Sequence, residues 1–266
     1  MNRRLFLFAP IAIAFGQTNT TLVAGYRLLY LLRFADARVV FLEWQRTHPN
    51  DPMGFVSEAA SHLFEEFERH GVLTIEFFLD DDRLLGGIKG TADPARTQAF
   101  ERANVKARTI AEGGPKDANG LLALTLAAGM QADYLNLIAK RQIESLKQIR
   151  AAESYAQRLL AIAPTSTDAY MALGASDYIV ACLPAYKRAI LWFGSIQGDK
   201  QRGMEELAQA AKSGVYLGPY AKIMLALALV REKRAKEAQG LMHELVATFP
   251  DSPLFARERF KIDRLA

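Results

Sequence analysis

The residues of this chain that could do chemistry are few and scattered. Asp80, Asp81 and Asp82 form an unbroken acidic run that could offer oxygen ligands to a hard cation such as calcium. The run lacks the alternating acids and closing glutamate of an EF-hand loop, so it reads as a solvated acidic turn paired with Arg83. His62 and Glu66 share a helix face, and His48 and His70 fall in the same region of chain, which is raw material for a zinc site. No HExxH motif accompanies them, and scattered histidines of this kind serve as surface or capping residues. Cys182 is the single cysteine, so no disulfide can form within the chain. In the apolar run "YIVACLP" it reads as a small buried hydrophobe rather than a reactive thiol. "GGIKG" has flexible glycines without the strand-to-helix setting that phosphate binding requires, and no GxSxG elbow, P-loop or GxGxxG is present. No catalytic, cofactor-binding or metal-ligating residue is therefore assigned. The chain reads as a binding protein rather than an enzyme, the alternative being an envelope enzyme with a polar pocket beside residues 70–93.

The first residues, "MNRRLFLFAPIAIAFGQ", place Arg3 and Arg4 before an apolar run from Leu5 to Phe15, with small residues Ala14 and Gly16 before Gln17. That is the three-part layout of an export signal, with cleavage expected after Gly16. The apolar run is too short for a comfortable permanent span. Within it, "RRLFL" resembles the twin-arginine export motif, with Asn2 where Ser or Thr is usual and Phe8 where Lys is common. A general secretory signal and a buried first helix are the other readings. Export implies a bacterial periplasmic or cell-envelope protein with no permanent membrane span in its mature form.

Half of the 266 residues are hydrophobic and 23% are charged, an ordinary globular balance that can bury a large core without staples. Loss of residues 1–16 removes Arg3 and Arg4, so the formal net charge of +4 falls by two. Basic and acidic residues alternate in "REKRAKEAQ" and "RQIESLKQIRAAE", as on solvated helix faces. A nucleic-acid interface would need a sustained basic stripe with interleaved aromatics, and none is apparent.

Helical periodicity must position whatever site there is. "ARVVFLEWQRT", "GFVSEAASHLFEEFERH", "AESYAQRLLAIA" and "AKEAQGLMHELVATF" repeat apolar residues at three- and four-residue spacing. Breakers such as "HPNDP", "GGPKDANG", "APTST", "CLP", "IQGDK", "SGVYLGP" and "FPDSP" divide the chain into about eleven helices. Asp51, Thr167 and Ser252 are expected N-caps. Between Leu121 and Ala163 only Gly129 suggests a break. Residues 70–93 depart from the rhythm: four glycines and "VLTIEFF" predict an irregular insert with a short strand or extra turn. Ile75, Phe77 or Phe78 is expected to pack against the helices, leaving Asp80–Asp82 at the solvent edge.

Ala37, Ala152 and Ala238 each lie twelve residues before Pro49, Pro164 and Pro250. "Ala37-x3-Phe41…Pro49" resembles the second half of a tetratricopeptide (TPR) repeat, with Ala156 and Met242 in the aromatic position of the later copies. Ala24-Gly25, Leu225-Ala226 and "YMALG" (Tyr170 to Gly174) stand where the family has its first-helix signature. The prolines are not spaced by multiples of the usual period of about 34 residues, and the pattern is clear over about 17–64, 150–180 and 219–255. The resemblance implies an all-α, right-handed superhelix of antiparallel helix pairs over 17–266, following a signal at 1–16. It also implies a protein or peptide partner.

The family's concave-groove positions, carried onto this chain, are Leu22, Tyr26 and Leu29; Val56, Ala60 and Leu63; Met171, Ala175 and Tyr178; and Ile223, Leu227 and Val230. Almost all are apolar, which argues against clamping charged peptide termini. Two readings stay open: the groove binds apolar segments, or other parts of the chain cover it. Partial self-coverage is favoured, because a long exposed apolar strip is a liability.

Overall fold

The computed structural model describes residues 14–182 and 198–266. Arg3, Arg4, most of the apolar run after them and Pro184 lie outside the described residues, and Gly16 falls within the first helix.

All regular structure among the described residues is helical. The helices are α1 (Ala14–Tyr30), α2 (Phe34–Thr47), α3 (Pro52–Arg69), α4 (Ile75–Leu79), α5 (Asp81–Gly86), α6 (Pro94–Gly113) and α7 (Ala118–Asp133). They continue with α8 (Gln142–Ile162), α9 (Ala169–Cys182), α10 (Lys200–Ser213), α11 (Gly218–Arg231), α12 (Ala235–Thr248) and α13 (Pro253–Asp263). Each long helix packs on the next, and α3 bridges the insert by packing directly on α6. Packed in succession, the helices form a helical solenoid.

Local chemistry explains the joints. Asp51 caps α3 by accepting from Met53 N (2.9 Å), with Pro52 at the first helical position. Its carboxylate also accepts from Trp44 Nε1 of α2 and Asn119 Nδ2 of α7, so one residue of "HPNDP" ties three helices. Ser252 caps α13 and donates to Tyr30 O (2.7 Å). Thr167 is not a cap: α9 starts at Ala169, and its neighbour Asp168 instead accepts from Val215, Tyr216 and Leu217 N. Three amide donors in one loop outbid a local cap. Burial pushes the Asp168 carboxyl up, and those three amides oppose it.

Close approach is achieved by small residues, as the repeat pattern requires. Ala37 and Ala238 are fully buried, and a Cβ on Gly25 would collide with the ring of Phe41. Between α9 and α10, Gly174 and Gly203 face each other so closely that a Cβ on Gly174 would lie 2.7 Å from Gly203 O. Asp177 and Arg202 lock this crossing by a two-pronged ion pair.

α7 ends in a π-helical turn (Tyr134–Ile138), after which Lys140 adopts a left-handed conformation (φ 57°) and α8 begins. The break expected near Gly129 is absent, since Gly129 lies inside α7. The stretch Ala118–Ile138 is long and apolar enough to span a bilayer, but 61% of its apolar window is buried, and it packs against α3, α6 and α8.

The insert holds no strand. It forms α4 and α5, with Ile75 and Phe77 buried and Asp80 and Asp82 exposed. Burial of three apolar side chains on a solenoid face selects one helical turn over the β propensity of "VLTIEFF". The chain also closes on itself. Tyr30 of α1 packs on Phe249 and Phe255, with ring centroids 5.6 and 6.3 Å away, and Arg257 pairs with Glu68 of α3 at 2.9 Å.

Candidate functional site, an apolar chamber where the two ends meet

Closure brings α1, α3, the insert, α11 and α13 around one chamber of ≈ 60 Å³. Its wall includes Tyr26, Leu29, Tyr30, Phe64, Ile75 and Phe78 on one side, and Tyr220, Ile223, Ala226, Leu227 and Phe255 on the other. The helical spacing of Tyr220, Ile223 and Leu227 turns all three to the same side of α11.

The groove candidates divide accordingly. Tyr26, Leu29, Ile223 and Leu227 meet at the chamber. Leu22, Val56, Ala60 and Leu63 are buried in the core of α1–α3, α6 and α7, whereas Met171 and Tyr178 are buried in the core of α9–α13. Ile223 and Val230 remain half-buried on α11, as does Ala175 on α9. Tyr178 is further committed, its hydroxyl donating to Ala228 O (3.2 Å). Insert residues Leu73, Thr74, Ile75 and Phe78 cover one side of the chamber.

The polar groups at the chamber are mostly engaged. Tyr30 donates to Tyr216 O (2.7 Å), Thr74 Oγ1 donates to Gly71 O (2.7 Å), and Tyr26 accepts from Ser57 Oγ (3.3 Å). Glu258 accepts from Ile75 N (2.8 Å) and from Arg257 and Lys261, which fixes the insert to α13. Lys261 to Glu76 (2.7 Å) and Arg231 Nη1 to Phe78 O (2.8 Å) add two further ties. Burial pushes the hydroxyls of Tyr26, Tyr30 and Tyr220 upward, so all three stay neutral. The described lining of the chamber is thus predominantly apolar.

Other sites weighed from the sequence have structural roles. Asp80 caps α5 through Arg83 N (3.1 Å). His48 stacks on Trp44 (3.8 Å between centroids), and His70 meets Glu66 at 2.9 Å. Among the described residues, no three His, Cys, Asp or Glu side chains are arranged to hold a metal ion. Cys182 is half-buried against the α9–α13 core.

Two acidic residues escaped sequence reasoning. Burial pushes the Glu206 carboxyl up to about 7, helped by the charge of Asp177 next to it. Asp133, at the end of α7, is exposed to solvent. A lone acid inside the apolar run "GMQADYLNLI" was the available signal for Asp133. Nothing local marks Glu206, which sits among ordinary charged neighbours in "RGMEELAQ".

No protein-family model matches this chain, and no curated protein matches it. Among solved structures it is similar to a thermophilic TPR protein of Thermus thermophilus, at 13% sequence identity and a TM-score of 0.49. That alignment covers 92% of this chain and 98% of the other. The class that the packing of the described helices defines is an all-helical solenoid, closed at its ends around an apolar chamber.

Proposed function

We propose that this protein is an exported scaffold or adaptor of the bacterial periplasm or cell envelope, and that it holds a partner protein by an apolar segment. The observation that carries the reading is that Ile223 and Val230 on α11, two of the groove positions the repeat resemblance gives, are only half-buried, whereas Met171 and Val56 are buried. An apolar strip flanked by polar helix faces suits an aliphatic or aromatic segment better than a charged terminus. Export is supported by the layout of Arg3, Arg4, the apolar run and Gly16. Affinity capture from native envelope extract, with mass spectrometry, tests the reading. The parent should retain a specific protein that an Ile223→Glu, Val230→Glu double variant loses while keeping its melting temperature. Equal capture by both would remove α11 as the docking face, and recovery of the protein only from the cytoplasm would remove the envelope assignment.

A further inference from the structure

One buried oxygen at the α9–α10 crossing meets no donor. Glu206 Oε2 on α10 is shut off from solvent and has no hydrogen-bond partner among the described residues. The two donors nearest to it are already used. Arg202, one turn earlier on the same face of α10, gives Nε and Nη2 to the two oxygens of Asp177 on α9. Ser176 Oγ, beside Asp177, donates to Glu153 Oε1 of α8. A carboxylate oxygen left bare in protein is costly, so the contact it does make needs an explanation.

That contact is another acid. Asp177 lies close enough to share a hydrogen with Glu206. Two carboxylates can only accept, so one of the pair must carry a proton. Asp177 is buried and holds the guanidinium with both oxygens, so the proton falls to Glu206. Glu153, Asp177 and Glu206 together face a single cation, Arg202, and protonation removes one of the surplus negative charges. The surrounding groups leave this balance in place. Asp199 caps α10 at Arg202 N and adds a further negative charge near Arg202. Lys200, at the start of α10, pairs with Glu232, and Lys222 of the adjoining α11 pairs with Glu244 of α12. The crossing itself is tight: a Cβ on Gly203 would stand 2.7 Å from Tyr178 N and 2.8 Å from Gly174 O. An ionised Glu206 must therefore part the helices or turn its carboxylate out to water, and either change gives up Asp177.

We infer that Glu206 is protonated in the folded protein and donates to Asp177, making the α9–α10 crossing a proton-dependent joint that weakens at alkaline pH. Burial first, and then the charge of Asp177, push the Glu206 carboxyl up from 4.5 to about 7, with Arg202 opposing. The folded-state pKa is the higher one. The stabilisation is therefore complete below about pH 4.5 and is lost as pH rises through 7.

Carbon-13 NMR of the full chain, with labelled glutamate, tests the inference, the Glu206 Cδ being the signal that Glu206→Gln removes. Its midpoint should lie near 7. In Asp177→Asn the midpoint should fall by about one unit or more, since the repelling charge is gone and Arg202 is released, a readout that a merely structural role would not move. Urea unfolding gives the second measurement. From pH 5 to pH 8 the folding constant of the parent should fall on the order of 10–100-fold further than that of Glu206→Gln, whose amide donates without titrating. If Asp177→Asn fails to fold, the parent titration and Glu206→Gln carry the test. A Glu206 midpoint near 4.5, or parallel pH dependence of the parent and Glu206→Gln, would overturn the inference.

Discussion

Glu66 offers a direct test of how the N-terminal half is held. It lies on α3, 1% exposed, and its carboxylate gathers Arg69 (2.6 Å), Arg96 of α6 (2.7 Å), His70 (2.9 Å) and the Asp93 amide (3.0 Å). Burial alone would raise its pKa, but the hydrogen bonds from Arg69, Arg96 and Asp93 outweigh burial and hold it at about 2, against an ordinary 4.5. At ~1.4 kcal/mol per pK unit, that difference corresponds to about 3 kcal/mol of stability. The folded-state pKa is the lower one. The contribution is therefore fully present above about pH 5 and is lost as pH falls from there towards 2.

Glu66→Gln keeps the shape but removes the charge, leaving Arg96 and Arg69 without their anion. It should cost about 2–4 kcal/mol at pH 7, close to the range for breaking a buried pair. Urea unfolding monitored by circular dichroism at a series of pH values is the assay. Between pH 5 and pH 3 the parent should lose about 2 kcal/mol more than the variant, because only the parent titrates at this position. Glu43→Gln is the control: its partner Arg46 is equally close at 2.6 Å, but both side chains are more than half exposed, and the midpoint should not move. If Glu66→Gln and the parent unfold alike at pH 7, or lose stability in parallel down to pH 3, the carboxylate is not the clamp described.

Other perturbations follow from the same packing. Ala238→Leu should overpack the α11–α12 joint by about 1–3 kcal/mol, read as a lower melting temperature; unchanged melting would put the repeat register in error. Asp168→Ala should free three amides of the loop before α11 and cost about 1–3 kcal/mol, with hydrogen exchange quickening at Val215, Tyr216 and Leu217. Replacing residues 72–79 by a Gly/Ser linker removes buried Val72, Ile75 and Phe77, so the protein should melt earlier and bind a hydrophobic dye; unaltered melting and dye binding would mean that the insert is no cover. Replacing Arg3 and Arg4 with Lys should retain the protein in the cytoplasm if the twin-arginine route is used, as cell fractionation would show.

The repeat joints were legible because their causes are local. Pro49 and Pro250 stop helices, Asp51 and Ser252 start them, and Ala37 or Ala238 can only be small where two helices cross closely. The turn between α7 and α8 was not legible. It has neither Gly nor Pro, and the left-handed Lys140 is followed by an Arg141 amide that closes the turn on Leu135 O, which no residue type there signals. The insert was half legible. Its apolar residues announced burial, but whether "VLTIEFF" became strand or helix depended on the face it met.

The chamber was the least legible feature, for a reason that applies to solenoids generally. Tyr26 and Leu227 were identifiable as groove positions because the repeat fixes which face of a first helix turns inward. Whether such a position meets solvent or protein depends on how far the superhelix turns before the chain runs out, which is the sum of many small rotations. Here the turn brings Tyr30 onto Phe249 and Phe255, and Arg257 onto Glu68, so groove residues from both ends become walls of one space. The insert belongs to that closure, since Glu258 binds the Ile75 amide and Lys261 binds Glu76. A solenoid left open would expose these apolar positions as one strip. Closure divides them into buried core, a small chamber beside Tyr220 and the half-buried stripe of α11. The exposure of each groove position is thereby set by long-range contacts between the two ends rather than by the groove residues themselves.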